Sequence, residues 1–236
     1  MISASLALAA ALALAAPPEE KPKPAADHFR PDPAWKALGP SLWFDPKERR
    51  LVIRARVVLR EGPLEHLLCL KGTKEHEAIL ATDAQPRQIH AGLLLTGAEP
   101  GHPVRFEPKF EPPAGTPIAI ELLWMTDGKL HRSDARNWVK DEKAKKPLAE
   151  NWVFAGSDLF TDPVTKKLIY AADEGDLITV ANFGSAILDL PLASSASNAD
   201  RTFSADTAHV PPLGTEVLLR LGPSTQRPEK KPSTTP

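Results

Sequence analysis

At 236 residues, with 42% hydrophobic and 25% charged side chains, the chain has the apolar share needed to bury a core, as one large β-rich domain or two small ones. Its 29 Lys and Arg offset 30 Asp and Glu to a net charge of −1 with no long basic run, so nucleic-acid binding has no electrostatic support. A single cysteine, Cys69, excludes an internal disulfide and an iron–sulfur cluster.

The chain opens on an uncharged Ala/Leu run, MISASLALAAALALAAPPEE. Residues 2–16 are shorter than the ~20 a bilayer span needs. They fit the apolar core of a secretory signal, with Ala13-Leu14-Ala15 as a small-x-small cleavage site. The expectation is a signal peptide over 1–16 and an exported protein, periplasmic or extracellular, with no membrane span after cleavage. Residues 17–37 are Pro- and charge-rich and predict a disordered linker, and 223–236 predict a disordered tail.

Between them, residues 38–222 predict one β-rich α+β domain. LVIRARVVL (51–59), IAIELLW (118–124) and TEVLLRL (215–221) have strand character. Hairpin turns are expected at Asp45-Pro46, Asp127-Gly128, Asp162-Pro163 and Glu174-Gly175. A helix is expected from a cap at Asp83, through Pro86 and IHAGLLLT, to a stop at Gly97. A second, shorter helix is expected at GSAILDL (184–190), with Asn182 as its cap.

Two pairs of segments resemble each other. WFDPKERRLVIRA (43–55) matches FTDPVTKKLIYAA (160–172) at an offset of 117 positions, from Asp45 to Asp162. EPPAGTPIAIEL (111–122) matches VPPLGTEVLLRL (210–221) at an offset of 99, which also sets Asp83 against Asn182. The pattern predicts an internal duplication: two similar halves, each with hairpins and one helix. The competing reading is generic turn chemistry, since Asp-Pro starts turns and Gly-Thr precedes strands in unrelated places. On the duplicated reading, residues 56–76 are mostly an insertion in the first half.

That segment leads into LEHLLCLKGTKEHEAIL (64–80), the stretch richest in groups able to bind or react. A turn at Gly72-Thr73 makes it a hairpin in which Cys69 faces His76, Leu68 faces Glu77 and His66 faces Ile79. His90 follows on the expected helix. A Cys–His pair can form a thiolate–imidazolium nucleophile or part of a metal site. Its ordinary alternative is a small buried thiol beside a hydrogen-bonded core histidine. No Gly-rich oxyanion turn adjoins Cys69 and no zinc-ligand spacing is present, so no catalytic residue, metal or cofactor is assigned. The candidate ligand-binding residues are His66, Cys69, His76, Glu77 and His90. Secondary candidates are an acidic turn (Asp173, Glu174, Asp176), a cross-strand Trp124–His131 pair, and Trp138 and Trp152 flanking a charged loop.

The segments EHLLCLKGTKEHEAIL, IHAGLLLTGAEPG, PPAGTPIAI, NWVFAGS and LDLPLASS together resemble those of secreted YdjY-domain proteins, a family of exported bacterial proteins found especially in planctomycetes. The resemblance spans about 40–222 and implies export and a single domain, with no reaction type attached. Some members are described as ferredoxin-like, a pattern from which a chain with Cys69 alone departs. The leading expectation is an exported, non-catalytic binding or accessory module for an unknown small molecule or envelope protein. The alternatives are a Cys/His enzyme or metal-binding protein centred on 65–90, and a structural cell-envelope protein.

Overall fold

Short β-branched runs punctuated by Asp and Gly turns cannot bury both faces as separate hairpins, and here they close on one another. The computed structural model describes residues 29–193 and 203–225. The expected signal segment, the start of the linker and most of the tail lie outside them.

Eight strands form a closed barrel: β1 (Arg50–Val57), β2 (His66–Leu70), β3 (Ala78–Thr82), β4 (Pro117–Thr126), β5 (Trp152–Phe154), β6 (Asp176–Thr179), β7 (Leu188–Asp189) and β8 (Glu216–Pro223). Their order around it is β1-β8-β4-β5-β7-β6-β2-β3, and β3 returns to β1 through Arg56↔Ala81 and Val57↔Leu80. Closure removes the unpaired edges of an open sheet. Inward side chains such as Leu51, Ile53, Leu67, Leu122, Phe154 and Leu219 are fully buried, each contributing about 1.5–3 kcal/mol.

One α-helix stands among the described residues, α1 (Pro86–Leu95). It packs on β1 and on the strand pair 36–39 and 42–45 ahead of it. Gly92 sits where any Cβ would strike the Leu51 side chain, which explains a glycine inside a helix. The helix starts three residues after the expected cap: Gln85 takes the N-cap position, and Asp83 is exposed and paired with Lys71.

Three of the four expected hairpins form. At Asp45 the carboxylate accepts from the N–H of Lys47 and Glu48, and at Asp162 from those of Val164 and Thr165. Arg49 and Lys166 then take positive φ. Asp141 builds the same turn with Lys143, Ala144 and a positive-φ Lys145. A turn used three times accounts for the likeness of 43–55 to 160–172. Glu174-Gly175 instead ends a 3-10 turn, Ala171–Glu174, at a corner between strands that do not pair.

Three expectations are corrected. GSAILDL (184–190) is no helix: it is a turn leading into β7, because Asn182 gives its side-chain amide to the Asp189 carboxylate and the Leu190 carbonyl. The linker is held from Phe29 onward, whose N–H reaches Glu216 and whose carbonyl accepts from Arg54. The third concerns 64–80. β2 and β3 pair in parallel, His66 opposite Ala78 and Leu68 opposite Leu80, so Cys69 does not face His76. The Gly72-Thr73 turn runs on into a 3-10 turn, Glu75–Glu77, which carries the chain back along β2 before β3 begins. The segment read as an insertion therefore supplies a barrel strand.

Candidate functional site

On a regular strand Glu65 and His66 would point to opposite faces. They do not, because the chain bends at Glu65, between a short strand at Pro63–Leu64 and β2. The Glu65 backbone is clamped there: its N–H reaches the Glu77 carbonyl at 3.1 Å, and its carbonyl accepts from Val180 and Ala181. The backward-running 71–77 connection thereby sets Glu77 beside Glu65 and His66. Ligand atoms of these three side chains all lie within 4.8 Å of one another.

His66 is 0% exposed. Its Nε2 lies 2.7 Å from Asp176 Oδ1, on the neighbouring strand β6. Ser185 donates its hydroxyl to the other oxygen of Asp176. Burial alone would raise the Asp176 carboxyl, but the bonds from His66 and Ser185 and the nearby Lys74 charge outweigh it and hold it below the usual range. An ionised Asp176 can only accept, so His66 Nε2–H donates to it, and in the neutral imidazole the lone pair then lies on Nδ1. That buried Nδ1 has no hydrogen-bond partner among the described residues, an arrangement that costs a fold about 1–3 kcal/mol. Phe183 stacks on the imidazole, centroids 5.4 Å apart, and Lys74 Nζ lies 5.9 Å from the centroid of the Phe183 ring. Glu65 and Glu77 are half-buried, and burial, then the Glu77 charge and the hydrogen bond a protonated Glu65 gives to Glu77, push the Glu65 carboxyl up.

The order Ser185–Asp176–His66 is not that of a hydrolase triad. A serine nucleophile needs the imidazole at its hydroxyl, and here the carboxylate stands between them. Cys69 is no nucleophile either: it is 0% exposed, packed against Ala78, Ala81 and Val58, and burial pushes its thiol up to about 11. A disulfide-exchange reagent is therefore expected to label Cys69 in denaturant and not in the folded chain; prompt labelling of the folded protein would contradict this packing.

Of the five sequence candidates, the structure brings His66 and Glu77 together. His76 is exposed on the 3-10 turn, 3.7 Å from Glu77. His90 belongs to another cluster: its Nδ1 lies in hydrogen-bond contact with the Tyr170 hydroxyl at 2.8 Å, that hydroxyl also reaches the Gly156 carbonyl, and burial lowers the imidazole. The acidic turn disperses, with Asp173 on Arg87 and Asp176 buried at His66. Trp138 and Trp152 are core residues, and Trp124 stacks on His131 as expected. Glu65 and Ser185 were missed, and Asp176 was read only as part of an acidic turn, not as the partner of His66. The signal for Asp176 was a carboxylate opening the apolar strand DLITV, a place where a charge needs a buried partner.

Residues 42–222 match the profile of the YdjY domain. The chain belongs to the YdjY-domain family. No curated protein and no solved structure matches it. In this YdjY domain the matched region runs from the hairpin at Asp45 to Gly222 in β8, so Glu65, His66, Glu77, Asp176 and Ser185 all lie inside it. No helix of the described residues is long and apolar enough to cross a membrane.

Proposed function

We propose that the protein is an exported, non-catalytic binding or accessory module whose ligand is held at Glu65, His66 and Glu77. One observation carries this: a fully buried imidazole with one nitrogen tied to Asp176 and the other unpartnered, beside two half-buried carboxylates. Such a cluster opposes folding, and groups that oppose folding mark function more often than architecture. The non-catalytic reading draws support from the inert Cys69 and from Asp176 separating Ser185 from His66. Export draws on the Ala/Leu segment at residues 2–16.

A binding cluster and a structural one respond in opposite ways to losing a charge. At pH 8, Glu77→Gln keeps the shape and a partner for Glu65 while removing the repulsion. Unfolding in urea is expected to show the variant more stable by about 0.5 kcal/mol. A loss of stability instead would mean that the carboxylates serve the fold, and would overturn the reading.

A further inference from the structure

We propose that Glu65, His66 and Glu77 bind one first-row divalent cation of the Mn²⁺-to-Zn²⁺ range, with His66 Nδ1 and one carboxylate oxygen from each glutamate as ligands. This rests on the binding-module reading of the same site and names its ligand class.

The imidazole is already prepared for a metal. Protein imidazoles that bind metals commonly give their other N–H to a carboxylate, which fixes the tautomer and raises the basicity of the ligating nitrogen. Asp176 does this at 2.7 Å, and Ser185 holds Asp176 in turn. The ligating nitrogen is the one left without a partner. Donors on one ion at about 2.0–2.2 Å stand about 3–4 Å apart. The present spread of up to 4.8 Å closes with a movement of about an ångström in the two half-buried carboxylates.

Charge points the same way. Three carboxylates, Glu65, Glu77 and Asp176, gather near one ammonium, Lys74, which already acts on Glu65 and Asp176. A divalent cation beside a neutral imidazole brings the four to zero. The nitrogen donor disfavours Ca²⁺ and Mg²⁺, which take oxygen, and one His with two carboxylates suits the borderline ions. Three protein ligands leave positions open for water or a second ligand. Ligation requires ionised carboxylates and a neutral imidazole, so protons compete with the cation and affinity falls in acid.

The test uses the full chain, stripped with a chelator and titrated with Co²⁺ by absorption and with Mn²⁺ and Zn²⁺ by calorimetry, with Ca²⁺ for comparison. Expected are one ion per chain, weakening by about 100-fold in His66→Gln and about 10-fold in Ser185→Ala, tighter binding in Lys74→Met, and no saturable Ca²⁺ binding. If His66→Gln does not fold, Glu65→Gln at the half-buried rim takes its place and should weaken binding by at least 10-fold. No saturable binding, or binding unchanged in both variants, would overturn the proposal. Should metal fail to bind while Glu77→Gln still stabilises the chain, the cation falls and the binding site stands. Should Glu77→Gln destabilise it, both fall.

Discussion

Asp176→Ala is expected to lower the unfolding free energy by about 3–5 kcal/mol, the usual cost of removing one partner from a buried ionic hydrogen bond. Three losses combine. His66, 0% exposed, is left with neither ring nitrogen paired. The Ser185 hydroxyl loses its acceptor, and with it the tie between its loop and β6. A small void opens where the carboxylate stood, at a residue 3% exposed. Urea unfolding should show a lower midpoint at unchanged slope. A loss below about 1 kcal/mol would mean that His66 finds another acceptor, and the imidazole would no longer be fixed for its task.

Asp189→Ala is expected to cost about 4 kcal/mol by another route. Asp189, on β7, is 0% exposed and accepts from the Thr179 hydroxyl at 2.9 Å, from the N–H of Leu190 and Phe183, and from the Asn182 amide. Deleting that acceptor leaves several buried donors short of a partner, each worth about 1–3 kcal/mol. The same loop carries Phe183 and Ser185, so the change should also loosen the wall of the His66 site. A pH signature separates this residue from Asp176. Burial, acting against its donors, pushes the Asp189 carboxyl from its ordinary 3.8 up to about 7. The folded chain thus holds a proton there that the unfolded chain has released. Its contribution is full below about pH 4 and is lost as pH rises to about 7, at up to about 1.4 kcal/mol per pH unit. Asp176, held low, runs the other way: its contribution is present above its ordinary 3.8 and fades as pH falls through its lowered value. Asp189→Asn should flatten the stability profile between pH 4 and pH 7 and leave the acid limb. A profile unchanged from the parent chain would contradict the raised carboxyl.

Local chemistry was readable in the sequence, and the closure of the chain was not. Asp45, Asp162 and Asp127-Gly128 announce turns because their own side chains or positive-φ glycine make them. α1 follows from its apolar period and Gly97 stop. Gly72-Thr73 misled, since two such residues between apolar runs read as a hairpin, and only the 3-10 turn after them makes the next strand parallel. GSAILDL has helical spacing, yet Asp189 inside it gathers donors from strand and loop, and that long-range demand overrides local propensity. His66 and Glu77 were visible for the same reason. Glu65, His66 and Glu77 share one segment, whereas Asp176 lies 110 positions beyond His66 and becomes its partner through β2–β6 pairing. A signal of that separation belongs to the topology of the barrel.

The most direct measurement is an anomalous difference map from crystals of the full chain grown with Co²⁺ or Mn²⁺. The expected result is one peak per chain about 2.0–2.2 Å from His66 Nδ1 and from an oxygen each of Glu65 and Glu77, with Asp176 still on Nε2. A map with no peak there, or with the ion on exposed His76 while His66 Nδ1 meets only water, would contradict the assignment of this cluster as a metal site.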